Sequence, residues 1–452
     1  MEQKDCGKIS QCMIVKNEEK NIERALTWGK GVVAEQIVVD TGSTDKTVEI
    51  ARRLGAKVYH FTWVNDFAAA KNFALEKAQY PWIAFLDADE YFSEEDGKKL
   101  AELLAELSPS ATDAVMTAWI HLYDNGTIMQ VDSQIRIFRN SPKLRYHGRI
   151  HEVLSYDDGR SLNVFEANEV LSIFHTGYGE EADAKKKASR RNLLLIQEEL
   201  KENPKNYQMQ AYLGNEYLSF GEWDSAEEAY RKAISLIPEA LIGEYSVLTS
   251  GVFSRLLSIL TARSGNHEAK ILELYRQASF GWPKEADYEY LLGDYYAGRG
   301  NFWEGERYLK LALEKLDKYG NAQYSSKLSA KIMHTYELLM MCCLNNGNHA
   351  DCVKYGAAIL RENPYLMTIA RLFLLAFYRD GMSHGREREA AEEVAVLLGQ
   401  SFYQFSSLKD RVFILRAATE TGWAEFVEVI RGLFSPEELE QIDRGLGKRQ
   451  NG

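Results

Sequence analysis

Four short apolar runs, each followed by a polar loop and a helical pattern, constrain the fold of this chain more than any other feature. Ile9–Val15 reads as a strand and Glu18–Trp28 as an amphipathic helix. Gln36–Val39 is a second strand ending at Asp40, and Thr44–Leu54 a helix with Ser43 or Thr44 as its N-cap. Ala56–Phe61 and Trp82–Leu86 are a third and fourth strand, with Asp66–Ala78 as the helix between them. Strands alternating with helices of about 10–15 residues predict a parallel, doubly wound α/β sheet. The pattern then changes. Asp113–Leu122 and Thr127–Arg139 flank Asn125-Gly126, a hairpin signal, and further β segments are expected near Glu152–Ser155 and Glu169–Phe174.

After about residue 180 helical periodicity takes over. In "YQMQAYLGNEYLSFGEWDSAEEAYRKAISLIP", from Tyr207, the residues Leu213-Gly214, Tyr217, Ala226, Tyr230, Ala233 and Pro238 occupy the positions of a tetratricopeptide repeat. A second copy starts near Ala286, with Leu292-Gly293, Tyr296, Leu309 and Ala312, and with Gly305 where alanine is usual. Degenerate copies are read around Leu256–Ala278 and Leu339–Pro364. An irregular helical bundle is the alternative. The expected organisation is an α/β domain over 1–180, a linker helix over 181–204, tetratricopeptide-like repeats forming an all-α solenoid over 205–445, and a tail over 446–452.

The chain has 452 residues and a net charge of −12, which argues against general nucleic-acid binding, since that needs a basic face. It has no run of about 18 apolar residues, so no transmembrane helix is expected. The start of the chain has no apolar h-region, so no secretory signal is read. The five cysteines have neither zinc spacing nor the density of a disulfide framework. A cytoplasmic, thiol-reduced protein is the expectation.

In doubly wound sheets, ligands bind at the carboxyl ends of the strands. "KNEEKN" (Lys16–Asn21, with Asn17 and Glu18) follows the first strand and "DTGSTDKT" (Asp40–Thr47) the second. A well-made turn accounts for the Gly-Ser-Thr of the latter but not for its aspartates. Asp87-Ala88-Asp89 follows the fourth strand. Residues i and i+2 of a strand share a face, so both carboxylates are expected to converge on one ligand. Two like charges that close raise each other's pKa unless a cation neutralises them, and Mg²⁺ or Mn²⁺ commonly bridges such carboxylates to substrate phosphates. "YHGRIHEVL" holds His147, His151 and Glu152, and "FHTGY" holds His175. His60 and His121 read as hydrogen-bonded core residues. The basic run "AKKKASRRN" (Ala184–Asn192) reads as a solvated face, or as a patch that steers acceptor or diphosphate.

Taken together, "CMIVKNEEKNIERAL", "IVVDTGSTDKTVEIA", "WVNDFAAAKNFALEKA" and "WIAFLDADEYF" resemble, in order and spacing, the inverting family 2 glycosyltransferases. These have the Rossmann-like nucleotide-diphospho-sugar transferase (GT-A) fold. The resemblance covers residues 8 to about 180. It implies a nucleotide-sugar donor, with Asp40 at the nucleobase, Asp87 near the ribose or diphosphate and Asp89 as the metal ligand. Lys71 stands where the family has arginine in D-F-x-x-x-R-N, keeping the charge but losing the bidentate fork. His175 is nominated as a further ligand of Mn²⁺ or Mg²⁺. Glu152 is the expected base, with His151 and His147 as competitors, and a salt bridge to Arg149 or Arg136 is its structural alternative. The later H-E and H-x-G-Y blocks followed by repeats resemble the glycosyltransferases that modify Cys or Ser of glycocin peptides. A peptide acceptor is therefore expected, with a cell-envelope glycan or a non-catalytic repeat scaffold as alternatives. The repeats are expected to bind peptide or to form a homodimer interface.

Overall fold

The structure, a computed structural model, describes residues 7–107, 111–176, 190–320 and 326–447. The α/β part orders its elements as β1 (Ile9–Val15), α1 (Ile22–Thr27), β2 (Glu35–Asp40), α2 (Thr47–Arg53), β3 (Lys57–His60), α3 (Phe67–Lys77), β4 (Trp82–Phe85), β5 (Glu90–Phe92) and α4 (Glu94–Glu106). Then come β6 (Ala114–Leu122), β7 (Ile128–Arg139), β8 (Leu144–His147), β9 (Val153–Tyr156), β10 (Val164–Glu166) and β11 (Ser172–His175). The main sheet runs β3-β2-β1-β4-β7-β6-β11-β5, with β10 also on β6, while β8 and β9 pair separately. β1 is parallel to β2 and β4, whereas β7 runs antiparallel to β4 and β6. The expected parallel half and mixed half are both present.

β1, β2 and β4 are legible because they are covered on both faces and so are mostly apolar. Ile9, Cys12, Met13, Ile37, Val38, Val39, Ile83 and Phe85 have no exposed surface. Each such aliphatic or aromatic side chain contributes roughly 1.5–3 kcal/mol by burial. Polar groups inside this core are paired: Ser10 donates to Glu35 at 2.7 Å, and Lys57 bridges to Glu35 at 2.7 Å.

Two helices start later than their periodicity predicts. α1 begins at Ile22 rather than Glu18, and α2 at Thr47 rather than Thr44. Ser43 and Thr44 do not cap α2, whose N-terminus has no side-chain cap. They are tied to the loop after β1 instead. Ser43 Oγ accepts from Asn17 N at 2.9 Å, and Thr44 N donates to Asn17 Oδ1 at 2.8 Å. Asn17 sits at φ +59, a left-handed conformation asparagine tolerates better than most residues.

Two compact units divide at Ala229 and Tyr230. The first therefore carries helices beyond the sheet domain: α5 (Arg191–Glu202), α6 (Tyr207–Ser219) and the start of α7 (Trp223–Leu236). Leu195, Ile196 and Leu200 of α5 and Met209 of α6 form one apolar cluster with Ile150, flanked by Trp63, Phe67, Tyr212 and Leu213. The first nine residues of the expected linker helix, 181–189, lie outside the described residues and include Ala184–Ser189 of the basic run; the rest of its span holds α5.

The second unit continues with α8 (Ser250–Ala262), α9 (Glu268–Gly281), α10 (Asp287–Gly298), α11 (Phe302–Tyr319), α12 (Ser326–Ala330), α13 (Ile332–Asn345) and α14 (His349–Glu362), and further helices lie between Met367 and Gly447. Small residues let partners approach. A Cβ on Gly293 would lie 2.6 Å from Leu309, and one on Gly305 would lie 3.0 Å from Cys342 Sγ and 3.1 Å from Ala297 N. Glycine replaces the usual alanine at 305 because α11 runs that close to α10 and α13.

Candidate active site

A cavity of about 740 Å³ opens at the carboxyl ends of β1 and β4, within the size range of small-ligand sites. It gathers Glu18, Lys71, Asp87, Asp89, His151, Glu152 and His175 from five separated stretches of sequence. Arg191 and Asn192 of α5 also line it, beside Trp63 and Phe67.

The two aspartates reach the cavity by a different route from the one their spacing predicts. β4 ends at Phe85, so Asp87 and Asp89 lie in the turn that follows, where strand alternation does not apply. Asp87 Oδ2 accepts from Arg136 Nη2 at 3.0 Å. Arg136 also holds Glu90 at 2.5 Å, and Glu90 is 1% exposed. Burial works against the guanidinium's charge, but Glu90 and Asp87 more than offset it and hold its pKa well above the usual range. This Asp87–Arg136–Glu90 triad is invisible in sequence, because 46 residues separate Glu90 from Arg136.

Asp89 meets the end of β11. Its backbone oxygen accepts from Thr176 N at 3.1 Å, and its Oδ2 stands 3.4 Å from His175 Nε2. The parallel register of β6 and β11 pairs His121 with His175, and their Nδ1 atoms are 3.0 Å apart. His121 Nε2 in turn meets Asp132 Oδ2 at 3.1 Å. Burial, and then the neighbouring His175, lowers the His121 pKa below its ordinary value of 6.5. His121, expected in the core, is buried there but sits directly behind this site. Among the described residues, no three His, Cys, Asp or Glu side chains form a complete metal-ligand set. One carboxylate and one imidazole are an incomplete shell of the kind Mg²⁺ or Mn²⁺ accepts when diphosphate oxygens and waters supply the rest. The donor set fits such an ion.

On another wall Lys71 Nζ pairs with Glu152 Oε1 at 2.5 Å. This ion pair replaces the Arg149 or Arg136 partner weighed above; Arg149 bonds Glu202 instead. Lys71 is 4% exposed, so its charge needs this partner, and the faces of Tyr146 and Phe85 lie 5.0 and 5.2 Å from it. Its ammonium therefore orients Glu152. His151 adopts φ +52 and stacks on Tyr212 of α6, with centroids 3.6 Å apart and planes at 11°. Packing lowers its pKa against the pull of Glu152. His147 does not line the cavity; it is half-exposed and lies 3.5 Å from Asp157.

Two other nominated residues are not cavity-lining side chains. Asn17 is committed to Ser43 and Thr44. Asp40 is 3% exposed and accepts from Ser43 N at 2.9 Å and Gly42 N at 3.3 Å, with His60 Nδ1 at 3.2 Å. Burial opposes its charge, yet these bonds prevail and lower its pKa. His60, expected in the core, is exposed instead, and supports Asp40 from the rim.

Comparison with known proteins adds a family. A family model described as glycosyl transferase family 2 matches residues 10–171. The SPbeta prophage-derived glycosyltransferase SunS of Bacillus subtilis is 32% identical over 237 residues, 52% of this chain and 55% of that protein. A TPR repeat-containing protein of Synechococcus elongatus is 30% identical over 274 residues, 59% of this chain and 64% of that one. The chain thus spans a little over half the length of the curated relatives it matches. Among solved structures, S. aureus TarS 1-349 aligns at 18% identity and a TM-score of 0.34, over 60% of this chain and 91% of that one.

Proposed function

We propose, from the premise that residues 10–171 are a glycosyltransferase family 2 domain, that this chain moves a sugar from a nucleotide diphospho-sugar to an acceptor with inversion at the anomeric carbon. One observation carries the reading. Asp87, Asp89 and His175 share a single cavity with the Lys71–Glu152 pair, so an acidic, cation-fitting wall and a carboxylate base face the same space.

Asp89 and His175 would hold the divalent cation, Mn²⁺ or Mg²⁺, which when bound neutralises charge on the departing diphosphate. Arg136 fixes Asp87, which would bear on a ribose hydroxyl or an amide of the donor. Asp40 would bear on the nucleobase side through the loop that it organises. Glu152, oriented by Lys71, accepts the proton of the attacking acceptor as its oxygen or sulfur adds to the anomeric carbon. His151, stacked on Tyr212, guides the acceptor past the same wall.

The acceptor we favour is a Cys or Ser side chain of a peptide, with a UDP-hexose as donor. Trp63, Phe67 and Arg191 offer apolar and cationic surface to an extended chain beside Glu152. A thiol, with an ordinary pKa of about 8.5, asks little of the base, whereas a hydroxyl asks more. A cytoplasmic setting belongs to the same reading: the four described cysteines are free and buried, which suits a reducing compartment. None of the described helices is long and apolar enough to cross a membrane.

The test is release of nucleoside diphosphate from a panel of nucleotide sugars, with Mn²⁺ and candidate peptides, followed by mass spectrometry. Asp89→Ala is expected to abolish transfer while leaving the thermal melt unchanged. Glu152→Gln is expected to lower kcat by about 10²–10⁴-fold on a hydroxyl acceptor. Undiminished turnover by Asp89→Ala, or no cleavage of any donor by the wild type, would overturn the proposal.

A further inference from the structure

We infer that His121 and Asp132 are positioning residues that hold the His175 ring with its Nε2 lone pair turned toward Asp89, making that edge a ready cation-binding pair. The inference rests on the reading that Asp89 and His175 hold a divalent ion.

Two imidazoles stand in series between two carboxylates. The contacts run Asp132 Oδ2 to His121 Nε2 at 3.1 Å, His121 Nδ1 to His175 Nδ1 at 3.0 Å, and His175 Nε2 to Asp89 Oδ2 at 3.4 Å. The central contact can hold only one hydrogen, since two N–H groups would collide and two lone pairs would repel. A neutral ring carries one N–H, and a carboxylate only accepts. Two neutral rings in this arrangement therefore have two polarities. Through these three contacts, either both N–H bonds point toward Asp132 and the His175 Nε2 lone pair faces Asp89, or both point toward Asp89 and the His121 Nε2 lone pair faces Asp132.

The distances select the first. At 3.1 Å the Asp132 contact has hydrogen-bond length, while the 3.4 Å contact to Asp89 lies beyond the usual N–H···O range. Gln130 Nε2 also donates to Asp132 Oδ2 at 2.8 Å, keeping that carboxylate in place. The rings themselves are fixed. The β6–β11 register sets them side by side, and Trp119 packs against His121 at 4.2 Å and His175 at 5.1 Å between centroids. An imidazole lone pair facing a carboxylate oxygen at 3.4 Å is repelled by it, and a shared cation turns that repulsion into binding. Two ligands at right angles, each about 2.1 Å from an ion, stand about 3 Å apart, so little movement is needed. Asp132 and His121 thus do for His175 what outer-shell carboxylates do for metal-bound histidines generally: they set its tautomer and its direction.

The test is titration of the full chain with Mn²⁺ alone, and again with UDP present, followed by the electron paramagnetic resonance signal of the free ion. Asp89→Ala is expected to abolish binding. Asp132→Ala and His121→Phe are expected to weaken it about 10- to 100-fold. His121→Gln is expected to recover most of the loss, because its amide oxygen can accept from His175 Nδ1. If Asp89→Ala binds like the wild type, the metal reading itself fails. If Asp89→Ala loses binding while Asp132→Ala and His121→Phe do not, the metal reading stands and the positioning role falls. A His121→Gln as weak as His121→Phe marks lost packing and overturns the inference too. Asp132 is 45% exposed, so its variant keeps the test open if His121→Phe does not fold. Nitrogen-15 spectra of the Mg²⁺-loaded protein give a second readout: the hydrogen of His175 is expected on Nδ1, and finding it on Nε2 is the contrary result.

Discussion

Arg136 is a single side chain that holds two carboxylates, Glu90 inside the sheet and Asp87 at its rim. Glu90 is buried on β5, where the guanidinium 2.5 Å away compensates its charge and Asp87 N donates to its other oxygen at 2.9 Å. A buried pair of this kind adds little over a well-packed apolar pair, but removing one partner strands the other. Arg136→Met is therefore expected to destabilise the first unit by about 3–5 kcal/mol in urea unfolding. Glu90→Gln combined with Arg136→Met recovers much of that loss if the stranded charge is the cause. Asp113 gives the pH counterpart. It accepts from Tyr156 at 2.7 Å, from Asn163 N at 2.9 Å and from two Arg160 nitrogens at 3.1 Å. Burial opposes its charge, but these bonds prevail and depress its pKa below the ordinary 3.8. A depressed carboxylate stabilises the fold above its unfolded pKa and loses that contribution as pH falls through the folded value. Asp113→Asn is thus expected to cost about 1–3 kcal/mol at pH 7. The gap to wild type narrows at pH 3, as comparison of the two urea curves would reveal; a gap of constant size would refute the linkage.

Elements differ in how much of themselves they put into the sequence. β1, β2 and β4 are covered on both faces, so their apolar runs can be read directly. β5 is three residues long and carries a buried glutamate whose partner lies on β7, so nothing local marks it as a strand. The loops after β1 and β2 read as separate caps and turns. In space they fasten to each other through Asn17, Ser43 and Thr44, which delays both helices. The site was legible to the same extent. Asp89, Glu152 and His175 follow strands or motif blocks, whereas the Lys71–Glu152 pair spans 81 positions, and His121 looked like any apolar-strand histidine until β11 lay beside it. In the helical hairpins, glycine positions were legible because close approach leaves no alternative. Gly293 has Leu309 where a Cβ would go, at 2.6 Å from two side-chain atoms and 3.1 Å from its backbone nitrogen. Gly293→Ala gains helix propensity of up to about 1 kcal/mol. The overlap with Leu309 outweighs it, since overpacking typically costs about 1–3 kcal/mol. A lower melting temperature for the second unit is the expected result; an unchanged or raised one would mean that α10 and α11 separate freely.

At the scale of the whole first unit, the sheet domain does not end where its family match does. Residues 10–171 carry the family pattern, yet the cavity borrows Arg191 and Asn192 from α5, and His151 leans on Tyr212 of α6. The same helices supply Leu195, Ile196, Leu200 and Met209 to the cluster around Ile150. Arg149 ties the two parts further, bonding Glu202 while its carbonyl accepts from Phe67 N at 2.8 Å. A fragment of residues 1–180 would expose Ile150, Trp63 and Phe67 at once. At roughly 1.5–3 kcal/mol for each large apolar side chain, that loss is comparable with the 5–15 kcal/mol by which a typical domain is stable. A fragment of residues 1–222 keeps α5, α6 and the cluster. The shorter fragment is expected to aggregate or to melt without a cooperative transition. The longer one is expected to melt cooperatively and to hold Mn²⁺ with the affinity of the full chain, because Asp89, His175, His121 and Asp132 all lie within it. Equal cooperativity of the two fragments in calorimetry would show that the first helices merely attach to a complete domain, and the shared wall of the cavity would then need another reason.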